Sequence, residues 1–320
     1  MIRMNERSYE IALEMAAAAE ILKISVEKLS CGATVIDAGA NVTGSLEAGR
    51  LFSEACLGGL GKVDFCALDF EGLFIPGVQV TVSHPVEACM AAQYAGWAVK
   101  VETQGQKSYQ AMGSGPARIL YGKEALLQKL GVQEQSDRAV LALESRKLPN
   151  DAVAAWVAQK CGISPEKVFL LVAPTASLVG SVQVAARVVE TGLHKMLEVG
   201  FDIKNILSGF GVCPIAPIAQ DDLRAIGRTN DAVLYGGQTW YTAKADPDKI
   251  EEIIEKLPSS ASRDYGAPFY ELFHRYDCDF YKIDPLLFSP AQISINDLNS
   301  GRTFHAGRVN PAMLLKGLIS

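Results

Sequence analysis

At 320 residues the chain has room for two ordinary domains or one large one, and 49% apolar with 21% charged residues is the balance of a globular protein with a substantial core. A formal charge of −6, with lysines and arginines scattered along the chain, argues against nucleic acid as the main partner, which usually leaves a basic stripe. The opening MIRMNERSYEIALEM lacks the apolar core of a secretion signal, and no apolar run reaches the roughly eighteen residues of a membrane helix.

Seven cysteines (Cys31, Cys56, Cys66, Cys89, Cys161, Cys213 and Cys278) are odd in number, widely spread and form no CxxC pair. They suit reduced thiols in the cytosol and speak against a disulfide framework or a zinc knuckle. The four histidines show neither HxH nor HExxH spacing, so no metal signature is present.

In chain order, Tyr9–Leu29 is rich in alanine, glutamate and leucine without proline or glycine, and is predicted helical. Gly32–Gly39 is a β-branched run between glycines and predicts a strand. Ser45–Leu57 has helical spacing with Ser45 as its cap. Gly72–Ser83 is expected to form strand, turn and strand, and Pro85–Glu102 a proline-initiated helix that runs into an extended segment. Asp137–Ser145 predicts a strand, Leu148–Gly162 an amphipathic helix stopped by glycine, and Lys167–Pro174 a buried strand. Asp246–Ser259 and Pro268–Tyr276 are further helices, and Ala291–Val309 a hairpin turning at NSG.

Strands and helices mix along the whole chain without a clean βαβ alternation. The expected class is therefore α+β (mixed α/β) in layers rather than a doubly wound sheet. A boundary near Ser145–Asp151 would give domains 1–147 and 148–320. TGSLEAGR (43–50) and VGSVQVAAR (179–187) echo each other, as a duplication remnant or as chance.

Several stretches could carry chemistry. AMGSGPARIL (111–120) is a glycine-rich turn feeding a helix, with Gly113, Ser114, Gly115 and Arg118 placed either to hold an anion or simply to make a tight turn. LSGFGVCPIAPI (207–218) is expected to be a second glycine and proline loop, in which Cys213 lacks a local activator and is expected to be an inert buried thiol. SSASRDYGAPFYE (259–271) concentrates Arg263, Asp264 and Tyr265 before a helix, to line a cleft or to tie the loop down. APTASLVGSVQ (173–183) puts Thr175, Ser177 and Ser181 where a strand gives way to a helix, a common place for ligand groups and for ordinary caps.

The following helix, VGSVQVAARVVE (179–190), carries Gln183, Arg187 and Glu190, with His194 beyond, at spacings of four, three and four, which is one helical face. Thr191 and Lys195 sit beside that stripe. Such a face is ordinarily the wet side of a helix. The short apolar neighbours of Gln183 and Arg187 suggest deeper packing, and a buried glutamate beside an arginine can act as a tunable general base.

End to end, VIDAGANVTGSLEAG, CLGGLGKVD, HPVEACMAAQYAGW, AMGSGPARIL, LVAPTASLVGSVQVAARVVET, SGFGVCPIAPI, TNDAVLYGG, SRDYGAPFYE and DFYKIDPLLFSPAQISINDL follow in that order. With them the chain resembles the methenyltetrahydromethanopterin cyclohydrolase family. It implies a cytoplasmic homo-oligomer, usually a trimer, whose monomer has two α/β domains with a cleft between them. It implies an enzyme of one-carbon metabolism that interconverts a methenyl-tetrahydromethanopterin cation and its formyl derivative. No prosthetic group is implied: tetrahydromethanopterin, or its dephospho form, is the substrate's carrier. The family's arginine and glutamate, three residues apart, fall on Arg187 and Glu190, the expected catalytic pair. Gln183, Ser177, Ser181, the Gly113–Arg118 turn and the Arg263–Tyr265 loop are the expected substrate contacts. A non-catalytic pterin- or nucleotide-binding protein and a Cys213-dependent acyl transferase are the competing readings.

Overall fold

The computed structural model describes residues 2–102, 108–279 and 282–319. In chain order the elements are α1 (Met4–Ala17), α2 (Ala19–Leu22), β1 (Ser25–Lys28), β2 (Thr34–Asp37), α3 (Leu46–Cys56), β3 (Gly61–Phe70) and β4 (Leu73–Val82). A π-type helix (Val86–Gln93) follows, then β5 (Trp97–Val101), β6 (Tyr109–Ser114), α4 (Ala117–Tyr121), α5 (Ala125–Leu130), β7 (Ala139–Glu144), α6 (Asp151–Cys161) and β8 (Val168–Ala173). Then come α7 (Leu178–Ala185), α8 (Val188–Glu198), β9 (Ile206–Pro214), α9 (Asp222–Asp231), β10 (Gln238–Ala243), α10 (Pro247–Ile254), α11 (Phe269–Arg275), β11 (Gln292–Asp297), β12 (Thr303–Gly307) and α12 (Pro311–Ile319). The class is mixed α+β, as expected.

Two compact units are each made of two segments: Met1–Gly61 with Glu87–Gln183, and Lys62–Val86 with Val184–Ser320. The first unit holds a sheet in the order β1-β2-β8-β7-β6-β5, in which β2, β8 and β7 are mutually parallel. One face buries Leu141, Leu143, Leu170 and Val172 against Val153, Ala154 and Val157 of α6. The other buries Val140, Ala142, Phe169 and Leu171 against Ala12 and Met15 of α1 and Leu51 and Phe52 of α3. Burial on both faces explains why AVLAL and VFLLVA are unbroken apolar runs rather than alternating ones. Since β7 and β8 are hydrogen-bonded neighbours, the chain passes positions 147 and 148 inside this unit and not at its edge.

The second unit holds a sheet in the order β12-β11-β10-β9-β4-β3, with β10 and β11 parallel. Its centre, β9, lies in the stretch expected to be a loop. β9 pairs β4 on one side and β10 on the other. Its glycines serve close packing rather than a turn: a Cβ on Gly209 would lie 2.6 Å from Val189 Cγ1, and one on Gly211 2.8 Å from Val188 Cγ1. The first turn of α8 is therefore seated directly on the backbone of β9. Tyr241 of β10 donates its hydroxyl to the Val189 carbonyl at 2.8 Å, and Gly192 leaves room for that ring.

Other differences have local causes. The helix expected over Tyr9–Leu29 starts at Met4 and stops at Leu22, because Lys23 turns left-handed (φ 56°) and Ser25–Lys28 pairs with β2. Gly72–Ser83 is one strand from Leu73 onward, its hairpin partner β3 preceding it across a turn at Glu71 (φ 56°) and Gly72. Pro76 sits inside β4 and accepts from the Ile215 amide through its carbonyl. The cap at Ser45 and the β11–β12 hairpin form as the sequence expects, and Asn150 and Asp246 cap α6 and α10. The echoed segments are not equivalent in structure: Gly44 precedes its helix at φ +63°, whereas Gly180 lies within one.

Asp231, at the end of α9, is buried among α11 and α12 and accepts from the Phe269 amide at 2.8 Å. Burial raises its carboxyl to about 7, aided by Glu271 and opposed by that hydrogen bond and by Lys316. The folded state then holds a proton that the unfolded chain gives up near the ordinary carboxylate value, so stability falls as pH rises through the window up to about 7. Asp231→Asn, which keeps the carbonyl acceptor, is expected to raise the melting temperature at pH 8 and to have little effect at pH 4; an equal shift at both would refute the linkage. Gly192→Ala drives a methyl into the Tyr241 hydroxyl and is expected to cost roughly 1–3 kcal/mol in chemical denaturation. Adding Tyr241→Phe should recover part of that loss.

Candidate active site

The expected single helix from Val179 to Glu190 is two helices. α7 opens from Ser177, whose hydroxyl accepts from the Gly180 amide at 3.0 Å and donates to the Pro174 carbonyl at 2.7 Å. Ser181 and Gln183 are buried on it. The chain leaves the first unit at Gln183, and the helix ends at Ala185. Ala186 and Arg187 form a turn in which the Arg187 amide donates to Val184 O at 3.0 Å while its own carbonyl accepts from Thr191 at 2.9 Å, starting α8. No proline or glycine marks this break. It comes where Val188 and Val189 seat on the β9 glycines.

The break changes the chemistry. Glu190 is not in mid-helix but in the first turn of α8, where unpaired amides and the helix dipole favour an anion. Arg187 Nη1 lies 3.3 Å from Glu190 Oε2, with side chains only 14% and 7% exposed. That separation is long for a charge-assisted bond. Arg187 therefore orients the carboxylate without saturating it, and among the described residues Glu190 has no other side-chain hydrogen bond.

The rest of the stripe does not follow. His194 lies 3.7 Å from Glu198 at the far end of α8. Lys195 turns inward: it is fully buried, donates to the Leu286 carbonyl, and has its amine pushed down to about 8 by burial, with Asp284 opposing.

Gly113 and Ser114 close β6, and Gly115 takes a left-handed φ of +100°. The polar groups of this turn point into the protein. Ser114 donates to Gln93 O at 2.5 Å and the Gly115 amide to Ala92 O at 2.8 Å. Arg118, fully buried, donates to Ala91 O (2.9 Å), Ala92 O (3.1 Å) and both Glu124 oxygens (2.9 and 2.5 Å). Its guanidinium is committed to holding the π-type helix against α4, the tight-turn alternative.

In the Arg263–Tyr265 loop, Asp264 accepts from Tyr276 (2.9 Å) and from the Asp284 amide (2.8 Å), and Asp284 accepts from Ser262 (2.7 Å). Asp264 thus ties the loop down. Tyr265 meets Asn310 at 3.2 Å and packs 5.1 Å from the Tyr235 ring, while Arg263 is exposed. Phe280 and Tyr281 of the nearby DFYKIDPLLF stretch lie outside the described residues.

Two groups escaped the sequence reading. Asp37, ending β2, accepts from the amides of Gly39 (3.0 Å), Ala40 (2.7 Å) and Asn41 (2.9 Å) and so fixes the loop that follows. Glu144, ending β7, accepts from the buried Thr175. Asp37 and Glu144 share a signal that was available: a single carboxylate closing an otherwise apolar run. Among the described residues no cluster of His, Cys, Asp or Glu could hold a metal ion, and no helix is long and apolar enough to cross a membrane.

Comparison with known proteins bears on this arrangement directly. A family model described as Cyclohydrolase (MCH) matches residues 3–318. The chain is 49% identical over 323 residues to the methenyltetrahydromethanopterin cyclohydrolase of Methanocaldococcus jannaschii, covering 99% of this chain and 98% of that one. It is 46% identical over 318 residues to that of Methanococcoides burtonii (99% and 98%), and 46% over 321 to that of Methanothermobacter marburgensis (99% of both). The molecule is thus a hydrolase of mixed α+β architecture. It belongs to the methenyltetrahydromethanopterin cyclohydrolase family.

Cys213 is fully buried on β9, its thiol pushed well up by desolvation, whereas Cys278 is exposed. Iodoacetamide under native conditions is expected to label Cys278 and leave Cys213 unmodified with activity retained. Peptide mass spectrometry showing Cys213 alkylated in step with inactivation would revive the thiol-enzyme reading.

Proposed function

We propose that this enzyme reversibly hydrolyses methenyl-tetrahydromethanopterin to formyl-tetrahydromethanopterin, with Glu190 as general base and Arg187 as its orienting partner. The single observation that carries the mechanism is the buried Arg187–Glu190 pair in the first turn of α8, 3.3 Å apart. Family membership and the names of its relatives support the substrate.

The bridging methenyl carbon belongs to an amidinium-like cation and is already electrophilic. The protein need only place a water on it and take a proton as the C–O bond forms. Glu190 receives that proton, and its charge stabilises the cationic substrate beforehand. The tetrahedral carbinolamine then collapses: its hydroxyl proton leaves, one C–N bond breaks, and the freed nitrogen is protonated. One water is consumed and one proton released overall. No prosthetic group is needed for any of these steps.

Gln183, Ser177 and Ser181 of the α7 region are proposed to contact the pterin carrier, with Arg263 and Tyr265 toward its anionic tail. The Gly113–Arg118 turn would contribute through its backbone, since Arg118 is engaged elsewhere. We further propose a cytoplasmic enzyme that works as a homo-oligomer, a trimer in the first instance.

Loss of the methenyl chromophore, followed by absorbance with methenyl-tetrahydrofolate in parallel, tests the proposal. Rapid loss with the methanopterin form alone is expected, and Glu190→Gln should lower kcat by about 10²–10⁴-fold. Turnover that survives the substitution would remove Glu190 from the mechanism; no turnover of either substrate would sink the proposed activity.

A further inference from the structure

In the first unit the chain leaves two adjacent parallel strands toward opposite faces. After β7 it runs to α6, which packs with Leu141 and Leu143; after β8 it runs to α7, whose Val179 packs with Val140 and Ala142. Such divergence opens a crevice at the carboxyl ends of the strands, the general place for ligands in parallel sheets. Glu144 ends β7 at that point, exposed at the close of a wholly buried strand.

Glu144 is fixed there. The Thr175 hydroxyl, 2% exposed, donates to Glu144 Oε1, and among the described residues no cation pairs with this carboxylate. A carboxylate offers about four acceptor positions, so one bond to Thr175 sets its orientation and leaves an edge for two further N–H donors. Directly opposite on β6 is Met112, which shares its face and is 43% exposed. A fixed acceptor edge beside an exposed, polarisable apolar side chain matches a flat heterocycle with two neighbouring N–H donors.

We propose that Glu144, held by Thr175, binds the 2-amino and ring N–H edge of the pterin, with the ring lying on Met112. The inference rests on the pterin reading given above and deepens it, naming the amino-pyrimidinone as the group recognised by the first unit. Methyl-pterin and methyl-lumazine separate the two levels. Lumazine carries a carbonyl in place of the 2-amino group and would turn an acceptor toward the carboxylate, which costs far more than a lost contact.

The test uses the full chain. Intrinsic ligand fluorescence would be titrated with 6-methylpterin and 6-methyllumazine, and KM and kcat measured with methenyl-tetrahydromethanopterin. Wild type is expected to prefer the pterin by at least about tenfold, the least that a charge-assisted pair gives. Glu144→Gln keeps a carbonyl for Thr175, so the fold should stand. It should abolish the preference and raise KM about tenfold or more with kcat within about threefold. Thr175→Ser should behave as wild type. No pterin preference in the wild type, or an unchanged KM in Glu144→Gln, would overturn the proposal. Pterin preference without methenyl turnover would instead refute the cyclohydrolase activity and leave this subsite standing; turnover without preference would do the reverse.

Discussion

The seating of one helix turn on two strand glycines fixes the position of Glu190. Val188 and Val189 can rest on β9 only because Gly211 and Gly209 have no side chains, the gap being too small for a methyl group. That contact fixes where α8 begins. Where α8 begins decides that Glu190 lies in a first turn rather than in mid-helix, at the positive end of the helix dipole. Tyr241 locks the arrangement from the neighbouring strand through the Val189 carbonyl. The Glu190 carboxylate is thus placed by apolar packing.

Much of the architecture was legible in the sequence because it follows from short-range rules. Ser45 caps the helix it precedes. The runs AVLAL and VFLLVA read as strands because burial on both faces leaves no polar residue in them. What was lost is long-range. β9 looked like a loop since glycine and proline punctuate loops far more often than they sit in central strands. Its glycines answer to a helix packed from elsewhere in the chain. The break at Ala186–Arg187 has no local mark for the same reason: the sequence there is a good helix former, and tertiary packing overrides it.

The candidate site divides along the same line. Arg187 and Glu190 were visible as a spaced pair, and their mutual contact is local enough to survive the broken helix. The stripe from Gln183 to His194 was drawn as one face of one helix, but the break at Ala186–Arg187 separates α7 from α8, so spacing projected through it does not hold. Arg118 and Asp264 attracted notice as charged residues in glycine-rich loops, yet each is bound to its own scaffold. Charge in a loop cannot by itself distinguish a group that holds a ligand from one that holds the loop.

A carboxylate's partners make that distinction. Asp37 accepts three backbone amides within four residues of itself and is therefore a structural staple. Glu144 ends β7, two strands away in the same sheet, but accepts from one buried hydroxyl and remains exposed. Glu190 is buried with a single, long contact to an arginine. Free energy spent on holding a carboxylate in place without filling its lone pairs gains nothing for the fold, since an unsaturated buried or fixed charge is a cost. Glu144 and Glu190 are each held by one side-chain partner with acceptor positions left over.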